Sequence, residues 1–405
     1  IEPNRLTINM FRLGGRSLYP DTDAATLQFL GSVVRESGAA DFDYLTLEKK
    51  RRGKALRVVP YIDDEEEGVK GVCVASDFET WLQIMYLYLT QPRKDKAIFQ
   101  NMMGKQQAML KNRNASPNVT YNDSLRTAVY GQRLRTQPIT VDRLKEVDFD
   151  RMYDIYHERF ANLAGMNLIV TGDIRTDEFE QLLCQYVASL PGKVDQKCKK
   201  CKKCKKGATC MGKPGQYTLD IQRGEVTKVF QHDMKTPSAL TNVLYTADVP
   251  YTAENDLKLD VLSQIMRAVY TETVREEKGG TYGVSVNGQC WKYPTEGCSM
   301  TVNFRCDPKR FDDLLPVIDE QLQRMATEGP TDEQLEKVKA YARKNYDRAV
   351  LTNGWWEYVR YHELHDGIDF NHNYLQMVDA LTTSDIRDFC RLLATSGNRI
   401  QVTMK

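Results

Sequence analysis

The stretch from Arg275 to Val286 contains a guanidinium and a phenol seven residues apart, on Arg275 and Tyr282. The apolar periodicity before this stretch predicts a long helix that ends at Gly279-Gly280, and the alternation after it predicts a strand. We therefore expect Arg275 on the last helical turn and Tyr282 at the start of the strand, facing each other across a tight turn. Such a pair could donate hydrogen bonds to a carbonyl oxygen or a developing oxyanion.

Ordinary local preferences also account for both residues. Arginine near a helix C-terminus is favoured by the helix dipole, and tyrosine is a good strand residue. Spacing and residue type alone therefore fit either a structural or a functional role for Arg275 and Tyr282. Deciding between the two roles requires knowing the helix and strand that position these residues.

Those elements occur twice along the chain. Phe78 and Phe311 open corresponding predicted helices, and Val147 and Leu381 begin matching passages at almost the same separation. A steady offset over several elements predicts duplication of one unit of about 190 residues. We predict the α+β class, with two homologous domains that each pack a mainly antiparallel sheet with helices. The predicted domains are residues 1–192 and 215–405, joined by a Lys/Cys-rich linker over residues 193–214.

The bulk composition excludes several classes of function. The 405 residues include 56 basic and 55 acidic side chains, so no global field favours nucleic acid or an acidic membrane surface. The mean hydropathy is negative, and no apolar run approaches the roughly 18 residues of a membrane span. The chain begins at Ile1 without a signal-like segment, and we expect it to be an expressed fragment of a longer protein.

Cysteines cluster at two places. Four of them lie in the predicted linker: Cys198, Cys201, Cys204 and Cys210. Their spacing leaves open a thiolate metal site or a disulfide, but the low-complexity lysine pattern favours a solvated basic linker. Cys290 and Cys298 bracket a predicted hairpin loop, where either a disulfide or packed thiols would fit. The compartment therefore stays undecided on the cysteines alone.

Two further polar segments are weaker candidates. His362 and His365 could approach each other on a helix, but zinc peptidase motifs need histidines four residues apart. A structural role is therefore the expected one. The acidic run Asp63–Glu67 lacks calcium-loop spacing and is predicted to be a solvated loop.

Three passages resemble the pitrilysin-type zinc metallopeptidases. They are Leu13–Pro20, Tyr156–Asp173 and Arg275–Gly283, and together they spread over both predicted domains. The resemblance is to the carboxy-terminal, non-zinc half of the bacterial single-chain members. It implies a two-half chamber in which the other half bears a His-x-x-Glu-His zinc motif. Arg275 and Tyr282 match the pair with which the non-zinc half binds substrate and supports the transition state.

The first helix departs from the zinc-bearing pattern, because residues 24–36 contain no histidine. The resemblance therefore implies no metal ligand and no cofactor-binding residue in this chain, with zinc expected in the missing partner half. The implied partners are a peptide substrate and that zinc-bearing half, either upstream in the same polypeptide or a separate subunit. The fragment alone is predicted to be inactive.

Two other functions stay open. The same fold serves as a non-catalytic structural or assembly subunit, which is the main alternative. A metal- or redox-sensing role for the linker cysteines is a third hypothesis. For localisation, the resemblance favours a bacterial periplasm or cell envelope.

Overall fold

A computed structural model describes residues 4–113, 116–174, 176–192, 215–277 and 281–405; the side chains of residues 176, 275–277, 281 and 282 are outside this description. The strands are β1 Arg5–Leu13, β2 Leu56–Ile62, β3 Glu66–Val74, β4 Asn167–Gly172, β5 Glu225–Phe230, β6 Ala239–Ala247, β7 Thr281–Trp291, β8 Gly297–Cys306 and β9 Arg399–Met404. The helices are α1 Ala24–Ser37, α2 Tyr44–Lys50, α3 Phe78–Thr90, α4 Lys96–Lys111, α5 Pro117–Tyr130, α6 Phe149–Phe160, α7 Thr176–Leu182, α8 Ala253–Tyr270, α9 Phe311–Glu328, α10 Asp332–Ala349, α11 Asn353–His365, α12 Tyr374–Ala380 and α13 Thr383–Thr395. Two π-helical segments, Leu183–Val187 and Thr271–Glu277, continue α7 and α8.

The described chain divides into two compact units, each containing one sheet. Unit 1 comprises residues 1–112, 139–218 and 348–367, and unit 2 comprises residues 113–138, 219–347 and 368–405. Unit 1 therefore includes α11 from the C-terminal half of the sequence, and unit 2 includes α5 from the N-terminal half. The predicted boundaries at residues 192 and 215 assign these two helices differently, and they stay a prediction.

The sheet of unit 1 has the strand order β2-β3-β1-β4, and every neighbouring pair is antiparallel. Alternate residues of β1 bury one face against α1 and α3, as the period of a strand requires. Trp81 of α3 is fully buried and donates its indole N–H to the carbonyl of Arg57 at 2.9 Å. Gly38, at a φ of 89°, ends α1 in a conformation that favours glycine.

The sheet of unit 2 has the order β5-β9-β6-β8-β7, so β7 is an edge strand. All neighbours are antiparallel except β5 and β9. The core lies between one sheet face and the helices α8, α9 and α13, with Leu262, Met266 and Ile386 among its most buried side chains. On the opposite face, α5 packs over β9 with Tyr121, Ala128 and Val129.

The two sheets repeat each other in order and in register. The order β2-β3-β1-β4 corresponds to β7-β8-β6-β9, with β5 added at the edge of unit 2. In unit 1, Asn9 lies opposite Lys70 and Ile169. In unit 2, Asn242 lies opposite Asn303 and Val402. Each of these three residues follows its unit 1 counterpart by the same offset that separates Phe311 from Phe78. The predicted duplication and α+β class are confirmed.

Several boundaries differ from the sequence prediction. Helix α8 ends at Tyr270, and a π-helical turn covers the remainder of the predicted helix up to Glu277. Strand β3 starts at Glu66, so the acidic run that was predicted to be a loop contributes its last two residues to the sheet. The prediction of a fully solvated loop was wrong there, because Glu67 has no exposed surface.

Candidate functional site

The backbone of Arg275 lies in the π-helical turn after α8, and that of Tyr282 lies in β7. These positions agree with a helix end followed by a strand start. The side chains of both residues are outside the described part of the structure, as are residues 278–280. Their predicted mutual approach therefore stays a prediction.

Strand β7 contains a bulge at Tyr282. The ladder to β8 shifts register between the flanking pairs Thr281–Cys306 and Val284–Phe304. Two residues, Tyr282 and Gly283, therefore stand opposite the single residue Arg305. A bulge bends its strand and changes the direction of nearby side chains, and bulges are frequent beside active sites. Glycine is compatible with such a kink because it has no Cβ.

A cleft of about 480 Å³ adjoins this bulge. It crosses the ends of β6, β8 and β7 on the sheet and reaches Tyr121 of α5. Its lining residues are Tyr121, Leu240, Thr241, Gly283, Val284, Ser285, Asn303, Phe304 and Arg305. The volume is within the roughly 300–1,000 Å³ range of ligand pockets. Gly283 lines the cleft, so the backbone that follows Tyr282 forms part of its wall.

Arg305 extends from β8 on the sheet face that α5 partly covers. It is exposed, and its Nη2 donates to the hydroxyl of Ser238 at 2.8 Å. In the register, Arg305 pairs with Leu240, and the next pair on the same face is Asn303 with Asn242. The amide of Asn242 donates to Oδ1 of Asn303 at 2.7 Å. The floor of the cleft thus carries the guanidinium of Arg305 and the amide of Asn303, which is hydrogen-bonded to Asn242 behind it.

Tyr121 closes the α5 side of the cleft. Its hydroxyl donates to the carbonyl of Val402 at 3.5 Å. Burial raises the pKa of the Tyr121 phenol well above its ordinary value. The group therefore stays neutral and can act only as a hydrogen-bonding phenol in this position.

Helix α8 holds the strand that follows the bulge. Arg267 donates from Nη2 to the carbonyl of Val286 at 2.6 Å, which joins the last part of α8 to β7. Farther along, a Cβ on Gly288 would lie 2.5 Å from Oγ of Ser263 and 2.6 Å from Cγ of Leu259. Close packing of α8 on β7 therefore needs a glycine there, and it fixes where the bulge lies relative to the helix.

The corresponding place in unit 1 differs in these features. Val72 occupies the position of Arg305 under the offset of the repeat, and it pairs with Arg57 in a ladder that keeps its register. On the covering helix, Glu357 of α11 hydrogen-bonds Asn9, the counterpart of Asn242. Burial raises the pKa of Glu357. Because both sheets share one register, the bulge and Arg305 are additions of unit 2 that the sheet itself does not need.

The two clustered histidines, His362 and His365, both contact the carboxylate of Asp366 in unit 1. Nδ1 of His362 and Nδ1 of His365 lie 2.6 Å and 2.7 Å from the two carboxylate oxygens of Asp366. Burial opposes ionisation of Asp366, but the two histidine contacts lower its pKa to about 2. Tyr361, one helical turn before His365, donates to Glu66 at 2.8 Å and stacks on the ring of His365. The Tyr361–Glu66 hydrogen bond attaches α11 to β3, and the rings of Tyr361 and His365 pack on Phe11 of β1.

A second buried network surrounds Glu67. Its carboxylate accepts from Nε of Arg12 at 2.7 Å, from Nη2 of Arg159 at 2.5 Å, and from the backbone N–H of Gly15 at 2.5 Å. Gly15 has a φ of 58°, and a Cβ there would collide with the carbonyl oxygen of Asp63. Arg159 and Gly15 come from two of the passages that carry the family resemblance, and here they position a turn.

Of the remaining candidates, Cys290 and Cys298 are within the described part of the chain. Cys290 and Cys298 lie directly opposite each other as buried thiols. Hydrogen bonding to Cys298 and burial raise the pKa of Cys290 far above its ordinary value. Cys198, Cys201, Cys204 and Cys210 are outside the described residues.

Neither α1 nor α8 contains a histidine. Over the described ranges, no group of three or more His, Cys, Asp or Glu side chains could hold a metal ion. The residues of this chain that the structure describes therefore do not fit a zinc site. No described helix is long and apolar enough to cross a bilayer.

Comparisons with known proteins agree with the fold. A sequence profile described as the Peptidase M16 inactive domain matches residues 146–341. The probable zinc protease PqqL of Haemophilus influenzae is 21% identical over 373 residues, which cover 88% of this chain and 37% of that protein. A zinc protease PQQL-like protein of Arabidopsis thaliana is 19% identical over 304 residues, covering 69% of this chain and 29% of that protein.

Among solved structures, the periplasmic protease PqqL from Escherichia coli superimposes with a TM-score of 0.82 at 15% identity, covering 100% of this chain and 43% of that one. The chain thus spans less than half the length of these proteins. The structural likeness shows the fold, and the profile match adds sequence evidence. The resemblance found in the sequence is confirmed: residues 146–341 match the inactive domain of the M16, or pitrilysin-type, peptidases, and the chain is similar to zinc proteases of that type.

Proposed function

We propose that the chain is the non-zinc half of a zinc metalloendopeptidase and that unit 2 binds the peptide substrate. One observation carries the proposal. Gly283 of the bulge at Tyr282–Gly283 lines a cleft of about 480 Å³, and this bulge lies on the edge strand that follows the Arg275 turn in sequence. The family match supports the same reading, because relatives are described as zinc proteases.

In this proposal, Arg275 and Tyr282 donate hydrogen bonds to the substrate carbonyl oxygen. Donors placed where negative charge develops stabilise the transition state more than the ground state. The proposal assigns the hydrolytic zinc and the general base to the zinc-bearing half, because the sequences of α1 and α8 contain no histidine. The fragment alone is expected to be inactive towards peptides.

Reconstitution tests this function. The chain is combined with the zinc-bearing half encoded upstream or as a partner subunit, and kcat/KM is measured on an unstructured peptide. Arg275→Ala and Tyr282→Phe should each lower kcat/KM by about 100-fold, the loss typical of one oxyanion donor. Arg324→Ala is the matched control, because Arg324 lies on α9 and pairs with Glu328. Wild-type rates for both site variants would refute the assignment.

The second candidate is a non-catalytic structural or assembly subunit of the same fold. The observation that favours it is the match to a domain described as inactive. The two candidates differ in what the reconstituted complex does. The structural role would be supported if a complex with the zinc-bearing half forms but cleaves no peptide. In that case, substitution of Arg275 or Tyr282 should also leave assembly of the complex unchanged.

A further inference from the structure

We propose that Arg305 makes the cleft of unit 2 a subsite for a carboxylate carried by the bound peptide. The inference rests on the proposed function, since it assigns chemistry to the peptide that lies beside Arg275 and Tyr282. It adds a specificity-determining residue, because Arg305 would select among peptides. Its role is separate from the proposed support of the transition state.

The charge of the cleft wall is the first argument. Arg305 carries the only full charge among the described residues that line it. The other polar lining groups are the phenol of Tyr121, the hydroxyls of Thr241 and Ser285, and the amide of Asn303. A cationic wall whose described lining includes no carboxylate favours an anionic group of the ligand over a cationic one. Carboxylates are the common anions of unmodified peptides, and a planar guanidinium can bind one through two parallel hydrogen bonds.

The position of Arg305 is the second argument. It is the single residue opposite the two bulged residues Tyr282 and Gly283. Cross-strand neighbours in antiparallel sheets are about 5 Å apart, so a peptide that contacts Tyr282 as proposed also passes close to Arg305. The contacted carboxylate therefore belongs to a residue close to the bond that Arg275 and Tyr282 would engage.

The neighbouring side chains can complete the site. Ser285 and Asn303 face each other in the β7–β8 ladder, and Asn303 lies two residues along β8 from Arg305. Among the described residues, the Oδ1 atom of Asn242 has no hydrogen-bond partner, although its amide nitrogen donates to Asn303. Asn242 is only 4% exposed. A buried acceptor without a donor beside the cleft marks a place where a ligand N–H or a water would be stabilised.

The duplication supplies the third argument. Unit 1 has Val72 at the position of Arg305 and preserves the same sheet register. A cation at this point is therefore not required to build the sheet. Arg57 is an exposed arginine on the corresponding edge strand of unit 1, opposite Val72 in an unbulged ladder. It offers a matched control with the same charge and a similar sheet environment.

The test measures binding of short peptides to the 405-residue chain. One acetylated and amidated peptide contains a single Glu, the second has Gln in its place, and the third is the Gln peptide with a free C-terminal carboxylate. The Glu peptide should bind about threefold to tenfold more tightly than the Gln peptide at low salt, as for an exposed ion pair. The preference should shrink as ionic strength rises. Tighter binding of the third peptide alone would assign the carboxylate to the peptide terminus.

Variants decide whether Arg305 is responsible. Arg305→Gln should abolish the preference, Arg305→Lys should keep part of it, and Arg57→Gln should leave it in place. If the peptides bind and depend on Arg275, but the carboxylate preference is absent or survives Arg305→Gln, the Arg305 inference is wrong while the proposed function stands. If no peptide binds, or if Arg275→Ala leaves peptide affinity unchanged, both the Arg305 inference and the proposed function are wrong. Thermal unfolding of each variant separates these outcomes from loss of folding.

Discussion

Arg159 and Glu67 meet in a buried ion pair, with Nη2 of Arg159 lying 2.5 Å from Oε1 of Glu67. The carboxylate has no exposed surface, and Nε of Arg12 contacts the same Oε1 atom. The same group accepts the N–H of Gly15, so a single carboxylate ties β3, β1, α6 and the Gly14–Gly15 turn together. These contacts all lie within unit 1, and they give Glu67 a structural role.

Removal of this charge should destabilise the protein strongly. In Glu67→Gln, two largely buried guanidinium groups lose their shared anion, and such losses typically cost about 3–5 kcal/mol. Urea denaturation should show a lower midpoint with an unchanged slope. Asp64→Asn is the control, since Asp64 is half-exposed and lies 3.7 Å from Arg16. A similar small effect for both variants would contradict the assigned importance of Glu67.

Asp366 should make part of the stability sensitive to acid. Its pKa is lowered to about 2 in the folded chain by His362 and His365, against an ordinary value of 3.8. A lowered folded-state pKa gives stability that is present above about pH 4 and is lost as pH falls towards 2. Asp366→Asn should cost about 2 kcal/mol near neutral pH.

The measurement is the free energy of unfolding of the wild type and Asp366→Asn across that acid range. The difference between the two proteins should narrow as the pH falls from about 4 to about 2. Asp388→Asn, which alters an exposed helix carboxylate, controls for general charge effects. A difference that stays constant with pH would show that the histidine contacts do not hold Asp366 ionised.

Arg267 should act as a positioning residue for β7. In Arg267→Met, the carbonyl of Val286 loses its donor at 2.6 Å while most of the aliphatic side chain remains. We expect faster amide exchange over β7 and lower kcat/KM in the reconstituted enzyme, with kcat affected as well as KM if the bulge moves. Arg324→Met is the matched control on α9. Unchanged exchange in β7 would show that Arg267 does not hold the strand.

Two glycines should respond in opposite directions to alanine. Gly288→Ala places a methyl group within 2.6 Å of Ser263 and Leu259 and should destabilise by about 1–3 kcal/mol. Gly104→Ala, inside α4 with no described atom within 4 Å of the added Cβ, should stabilise by up to about 1 kcal/mol. Thermal unfolding measures both. If Gly288→Ala leaves the free energy of unfolding unchanged, α8 and β7 can move apart enough to accept the methyl group without loss of stability.

Much of the fold follows from pattern alone. The apolar periods of α1, α3 and α8 predict buried faces, and those faces form the cores of the two units. The constant offset between matching passages predicts a repeat, and it recurs in the pairing of Asn9 and Asn242. These features are local in sequence or depend on a constant spacing, so no tertiary information is needed to find them.

The candidate site depends on register, which the sequence does not reveal. In the sequence, Arg305 is an ordinary residue near the end of a strand, and its position opposite a bulge becomes visible only when the partner strand is known to bulge at Tyr282–Gly283. The glycine directly after Tyr282 was the available signal, because glycine inside a strand pattern often marks a bulge. Glu67 was missed for a related reason, since its partners Arg12 and Arg159 are distant in sequence and approach only in the folded sheet.

The assignment of α5 to unit 2 and of α11 to unit 1 bears on how the chain could be divided. A cut within residues 193–214 leaves an N-terminal piece without α11 and a C-terminal piece without α5. Each piece would then expose the sheet face that the missing helix covers, including Phe11 in one and Leu244 in the other. The two pieces are expected to fold only when both are present, as complementary fragments. Each piece expressed alone is expected to aggregate rather than to form an independent domain.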